Sequence, residues 1–402
     1  SMSVNSVASQ QKRIDSIDVL RGIVMVIMAI DHVRDFLHQG AYLDDPLNIS
    51  TTTPALFFTR WITHLCAPTF VFLSGLSIYL QSTRKSAAEL SSFLFKRGLW
   101  LIFVEFGLIT LAMTFNPFYN LLILQVIWAI GISMVILGFL SRMPYKFLLA
   151  IGLFIVLGHN ALDFLEAEPG FKAGFWWDLF HHGSFAIYPI ANEHFIAIMY
   201  PFVPWTGLMI LGYCFGIFFT SNFTSEHRQK ILLRFGLSLI GFFIVLRAIN
   251  IYGDPHPWTT QTNGFNTFLS FIKVHKYPPS LAYMSVMIGI AILALSFLEN
   301  IQNKITKAFR VFGRTAFFYY ILHFYLVHTI CMILFFYRGH SLVDAFQAMQ
   351  SIPFLFSIKG EGYSLGFVYL IWVFVISGLY PLCKWYDSYK TAHKEKWWLS
   401  YL

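Results

Sequence analysis

Apolar stretches of about 20 residues recur along this chain, separated by polar punctuation, and each is long enough to cross a hydrocarbon core about 30 Å thick. They predict ten membrane-spanning helices, near residues 20–38, 57–82, 97–115, 119–140, 146–164, 195–220, 231–251, 279–298, 312–336 and 365–383. Two longer connections stand out. Residues 166–194 are rich in Trp, Phe and His, and residues 250–280 carry the Gly, Pro and Asn of an ordered irregular loop. Within the latter, TFLSFI is readable as a short re-entrant piece.

The first span departs from the pattern of the others. No ionisable side chain occurs from Gly22 to Ile30, yet Asp31, His32, Arg34, Asp35 and His38 then follow. Nine residues of helix rise only ~14 Å, about half of the bilayer core, so Asp31 and His32 are expected inside the membrane, in a protein-lined or watery cavity. Ionisable groups kept at such depth are commonly functional. A buried salt-bridge cluster, with Asp31 on Arg34 and Asp35 on His38 at i+3, accounts for part of the pattern. A neutral imidazole beside a carboxylate is also the usual form of a general base. Asp35, one turn on from His32, is the carboxylate better placed to reach it. His64, about five residues into the second span, is brought towards His32 and His38 by the short connection between the two helices. His323 is placed near the bilayer middle, nine residues past Arg314.

Composition agrees with this reading: 57% of the 402 residues are hydrophobic, 12% are charged and the mean hydropathy is +0.62. The chain is expected to be an all-α integral membrane protein, a polytopic bundle of about ten transmembrane helices. With the N-terminus inside, 20 of the 28 Lys and Arg residues fall on the inner side. That asymmetry predicts cytoplasmic termini, with tails at 1–13 and 384–402, in the cell (inner) membrane. The basic and aromatic C-terminal tail reads as an amphipathic surface segment. The net charge of +8 then reads as orientation, and nucleic acid is not invoked. Cys66, Cys214, Cys331 and Cys383 show no CxxC spacing and read as small buried hydrophobes. Ser1 ahead of Met2 reads as a cloning scar, and no metal constellation has convincing spacing.

Two groups of residues suggest ligands. Lys96 and Arg97, with Arg84 and Lys85, follow from positive-inside bias alone, or else form an anion site for a phosphorylated cytoplasmic ligand. Trp176, Trp177 and Trp258 fit an interfacial aromatic belt, or a stacking platform for sugars.

These motifs resemble the transmembrane acyltransferase superfamily, and within it the bacterial relatives of heparan-α-glucosaminide N-acetyltransferase. SIDVLRGIVMVIMAIDH is similar to a first-helix pattern of an acid, Leu-Arg-Gly and an apolar run. The spacing Arg21-x10-His32 is that of the arginine-to-histidine motif in the related acyltransferase family three. THLCAPTFVFLSG resembles the second-helix Phe-x-Phe-x-Ser-Gly pattern, and FGRTAFFYYILHF a late helix with an embedded histidine.

The resemblance implies one transmembrane acyltransferase domain over residues 1–402, moving an acetyl group from cytoplasmic acetyl-CoA to an extracytoplasmic sugar or amino sugar. It places His32 at the family-three motif histidine, the catalytic base there. In the heparan branch an asparagine holds that register and a histidine in the following outer segment carries the chemistry, for which His38 is the nearest candidate. His64 stands where that branch has an aspartate. Lys96 and Arg97 fall at inner basic positions of family three, and with Arg21, Arg314 and the deeper His323 they form the expected donor-binding set. Trp258, Trp176 and Trp177 are the expected acceptor-binding set. Direct transfer and a covalent acetyl-imidazole both fit. The implied partners are acetyl-CoA, a carbohydrate acceptor and the lipid bilayer, with the oligomeric state, a homodimer included, left open. From another class, a proton-coupled solute transporter would use Asp31, His32, Asp35 and His323 as a relay. The repeats and paired broken helices of many transporters are not visible in the sequence.

Overall fold

A bilayer forces backbone polar groups to pair within the chain, and apolar runs of this length do so as helices. The computed structural model describes residues 4–396 apart from Ser184, with side chains from Asp15 onward. The expected N-terminal tail is helical from Val4, because α1 (Val4–Leu37) continues back through it. Residues 1–3 and 397–402, including Ser1 and Met2, lie outside the described residues.

The next expected span is two helices, α2 (Pro54–Thr63) and α3 (Cys66–Ser82), that part at His64 and Leu65. α4 (Ala87–Val104) passes through a π-helical turn at Glu105–Ile109 into α5 (Thr110–Thr114). Then come β1 (Leu121–Leu124), α6 (Val126–Leu140), α7 (Tyr145–Gly158), α8 (Leu162–Glu166), α9 (Phe175–Phe180), β2 (Ala186–Ala191) and β3 (His194–Ile198). The rest of the chain is helical: α10 (Phe202–Phe215), α11 (Ser225–Ile249), α12 (Gly264–Ile272), α13 (Leu281–Leu298), α14 (Lys304–Arg314), α15 (Ala316–Tyr337), α16 (Leu342–Ala348) and α17 (Leu365–Ala392). Side chains of Thr53, Ser86, Thr224, Ser280, Asn303 and Ser364 accept backbone N–H bonds at helix starts, so the polar punctuation doubles as N-caps.

Among the described residues, eight helical segments are long and apolar enough to cross a membrane. The other two expected spans fall on α1 and α6, neither of which is among those eight. α6, at 15 residues, rises ~22 Å and is short for a full crossing. The expected all-α architecture is corrected at one place, since the first residues of the expected 119–140 and 195–220 spans are strands. β1 pairs parallel to β3, and β2 pairs antiparallel to β3, in a three-stranded sheet of order β1-β3-β2. Inside the 250–280 loop TFLSFI is the body of α12, and at the C-terminus the helix expected to end near 383 runs on to Ala392.

Helix contacts are set where side chains vanish. α1 crosses α14 at Gly22 and Gly313. A Cβ on Gly22 would lie 1.8 Å from the Phe309 carbonyl oxygen, and one on Gly313 1.8 Å from that of Asp18. α3 crosses α10 in the same way, with Gly75 against Met209 and Gly212 against Phe72, at 2.1 and 2.2 Å. Small residues that let backbones touch are the usual glue of membrane helices. Gly313→Ala is therefore expected to cost about 1–3 kcal/mol or more, seen as a lower thermal unfolding midpoint in detergent.

The expected 312–336 span is divided at Thr315, whose φ of −115° and ψ of 29° separate α14 from α15. α14 lies along α1 while α15 turns into the bundle. The two ends of the molecule differ in kind. At one, here the basic face, lie Arg21, Arg310, Arg314 and the fully buried Arg228–Glu299 ion pair. At the other, the loop face, the sheet, α12 and the 250–280 loop surround the C-terminal end of α1.

Candidate active site

A cavity of about 800 Å3 enters from the loop face and follows α1 from Val24 to Phe36, ~18 Å of helix. Its volume is within the range of small-ligand sites, roughly 300–1,000 Å3. Asp31, His32, Arg34 and Asp35 line it, with Arg60 of α2, His64 at the break between α2 and α3, and Tyr320 and Phe324 of α15. The sheet contributes Leu121, Ile123, Ile187 and Ala197, and the 250–280 loop contributes Lys276 and Tyr277. The strands thus wall the cavity with backbone paired inside the sheet.

His32 is held by a second histidine. Its Nδ1 lies 2.6 Å from Nε2 of His323, whose own Nδ1 lies 2.5 Å from the Tyr320 carbonyl. A carbonyl can only accept, so the proton of neutral His323 is on Nδ1 and its Nε2 accepts. His32 must then donate from Nδ1, which leaves its Nε2 with a lone pair. His323 is fully buried, whereas His32 is half-buried and lines the cavity. The ring of Phe324, 4.2 Å from that of His32 between centroids, fixes its orientation.

The expected pairing of Asp35 with His32 gives way to this arrangement. Arg34 takes Asp35 at 3.0 Å and stands 3.6 Å from Asp31. Asp31 is bound mainly by α2, accepting from Arg60 and, at 2.9 Å, from Thr63. His38 lies beyond the end of α1, outside the cavity, where its Nδ1 accepts from the Gly40 N–H at 3.2 Å. His64 does line the cavity, and neither of its ring nitrogens has a hydrogen-bond partner.

Of the expected donor-binding residues, three converge at the basic face. Arg21 donates to Asp18 and Ser77, each at 2.8 Å, and Arg314 to Asp387 at 2.9 Å. Arg21, Arg97 and Arg314 all lie within electrostatic range of Lys390 on α17. Lys96 is exposed on the neighbouring face of α4. His323 is not part of this group, because it sits nine residues up the chain from Arg314 against His32.

The three tryptophans stand apart from the cavity lining. Trp177 donates its indole N–H to Glu166 and Trp258 donates its own to the Arg247 carbonyl, both at 2.7 Å, while Trp176 is exposed beside Phe175 and Phe180. The aromatic residues that do face the cavity from the loops are Tyr42, Phe185, Tyr200, Tyr277 and Phe354. Sequence reasoning missed Arg60, Lys276 and Tyr277 as site residues. Arg60 in the last turn of α2 and His64 at its C-cap, four residues on, were the available signal.

Asp163, Glu166 and His181 are grouped closely enough to hold a metal ion. Their polar atoms are already engaged, with His181 on Glu166 at 2.9 Å and Asp163 on Asn160 at 2.8 Å, and they lie outside the cavity lining.

No curated protein matches the chain. Residues 13–247, more than half of it, match the family described as heparan-alpha-glucosaminide N-acetyltransferase, catalytic. The match takes in most of α1 with His32 and the α2–α3 span with Arg60 and His64, and ends before Lys276 and His323. By that match, and with helices apolar and long enough to cross a membrane, the chain belongs to this family of membrane acetyltransferases.

Proposed function

We propose that the protein transfers an acetyl group from acetyl-CoA, bound at the basic face, to a sugar or amino sugar that enters the cavity from the loop face. The observation that carries this reading is the tautomer chain from Tyr320 through His323 to His32, which leaves one basic nitrogen at the cavity. In the reaction, Nε2 of His32 takes the proton of the acceptor amine or hydroxyl as that atom bonds to the thioester carbonyl. The C–S bond then breaks, and the proton passes to the departing thiolate. The positive charge that His32 carries meanwhile is stabilised by the His323 lone pair and by nearby Asp31.

The excess of Lys and Arg on one side supports a cytoplasmic basic face, ten crossings and location in the inner membrane. Only one turn of α1 separates Arg21 from Val24 at the cavity floor. From Val24 to His32 is ~12 Å of helix, a path for the pantetheine arm while the phosphates stay among the arginines. Arginine suits phosphate through charge-assisted, bidentate hydrogen bonds. Replacing both Arg97 and Arg314 by Gln is expected to raise the KM for acetyl-CoA about tenfold or more, with acceptor KM unmoved. An unchanged donor KM would move the phosphates elsewhere.

The reading as a whole is tested by incubating purified protein with acetyl-CoA and a panel of amino sugars. Acceptor-dependent release of free CoA is the expected result, and its absence across the panel would remove the proposal.

A further inference from the structure

Lys276 is only 7% exposed yet lines the cavity. Among the described residues no carboxylate lies within salt-bridge distance of it. Its ammonium instead sits over two rings, 5.5 Å from the centroid of Tyr200 and 5.1 Å from that of Tyr277. Cation–π contact of this kind offsets only part of the cost of taking a charge out of water.

The other buried cations of the cavity are already matched, Arg60 by Asp31 and Arg34 by Asp35. Asp44 and Asp45 are exposed, and Asp254 is occupied by the His275 and His256 N–H groups and the Ser280 hydroxyl. Lys276 is thus one buried positive charge in excess.

His64 is the second unanswered group. It is 2% exposed, both ring nitrogens lack partners, and it lies within electrostatic range of Lys276 and Arg60. Buried polar groups are normally hydrogen-bonded, so an imidazole with two open positions at a cavity wall is one that a ligand completes.

We propose that Lys276 and His64 form an anion-reading subsite, so that the acceptor carries an oxyanion, a carboxylate or a phosphate ester, beside the amine or hydroxyl that meets His32. Lys276 neutralises the oxyanion and His64 hydrogen-bonds it, which turns the excess charge into selection for an acidic monosaccharide over a neutral one. The inference rests on the acetyl-transfer reading for the identity of the ligand as acceptor, but its binding can be measured without donor.

The test uses the full chain in detergent and three probes, glucosamine, glucosamine 6-phosphate and glucosaminic acid, by calorimetry without acetyl-CoA and by CoA release with it. At least one acidic sugar is expected to bind about tenfold or more tightly than glucosamine, and the two acidic probes separate phosphate from carboxylate. Lys276→Met should bring the acidic-to-neutral ratio to about one, while Lys276→Arg, which keeps the charge, should retain the preference. Equal binding of all three probes by the unaltered protein would overturn the subsite, as would a ratio unmoved by Lys276→Met. If an acidic sugar binds through Lys276 but no probe releases CoA, the subsite stands and the transfer reading falls. If CoA is released equally with neutral and acidic probes, the reverse holds.

Discussion

His32→Ala is expected to lower turnover by about 10²–10⁴-fold, the usual worth of a positioned base, while acetyl-CoA still binds and the thermal midpoint changes little. Half-buried at a cavity wall, His32 can be truncated with water filling the space. His323→Leu should reproduce much of the loss without touching the reactants, because it removes the acceptor that keeps the proton on Nδ1 of His32. His323→Gln, which offers an acceptor again, should recover part of the rate. Turnover and donor affinity measured for all three variants decide the matter. Near-normal turnover in His32→Ala, with loss in His38→Ala instead, would move the chemistry out to the end of α1.

Asp31→Leu should have the largest effect on stability. The Asp31 carboxylate accepts from Arg60 and Thr63 and neighbours Arg34, so its removal leaves Arg60 buried without its counter-ion. Breaking a buried pair from one side costs about 3–5 kcal/mol, which should appear as a large fall in the unfolding midpoint and loss of a monodisperse peak in detergent. The double variant Asp31→Leu with Arg60→Met removes both charges and should regain much of that stability. A double variant no more stable than the single one would show that the ion pair is not what holds α2 to α1.

How far the sequence was legible follows from what each inference required. The expectation that Asp31 and His32 face a cavity needed only a rise per residue and a bilayer thickness, and both residues do line one. The partner of His32 needed tertiary information. Spacing favoured Asp35, but the adjacent Arg34 captures that carboxylate and the imidazole faces α15, 291 residues away in sequence. LLIL and HFIAI are short apolar runs flush with longer ones, and periodicity alone does not tell a buried strand from a helix segment there. The tryptophans were visible as residues but not as orientations, since the indole N–H of Trp177 and of Trp258 is spent on the protein itself. Lys276 was counted only as one outer charge, because nothing local reveals that its carboxylate is missing.

The two ties that α1 makes differ greatly in reach, and that difference has a bearing on biogenesis. Asp31 finds Arg60 only 29 residues later, so the first hairpin can enter the bilayer with its carboxylate already neutralised while the ribosome is still making the rest. His32 has no such early companion. Its proton cannot be fixed on Nδ1 until α15 has been synthesised and inserted, so under the proposed role of His32 any chain halted before that point would be a membrane-embedded but catalytically silent precursor.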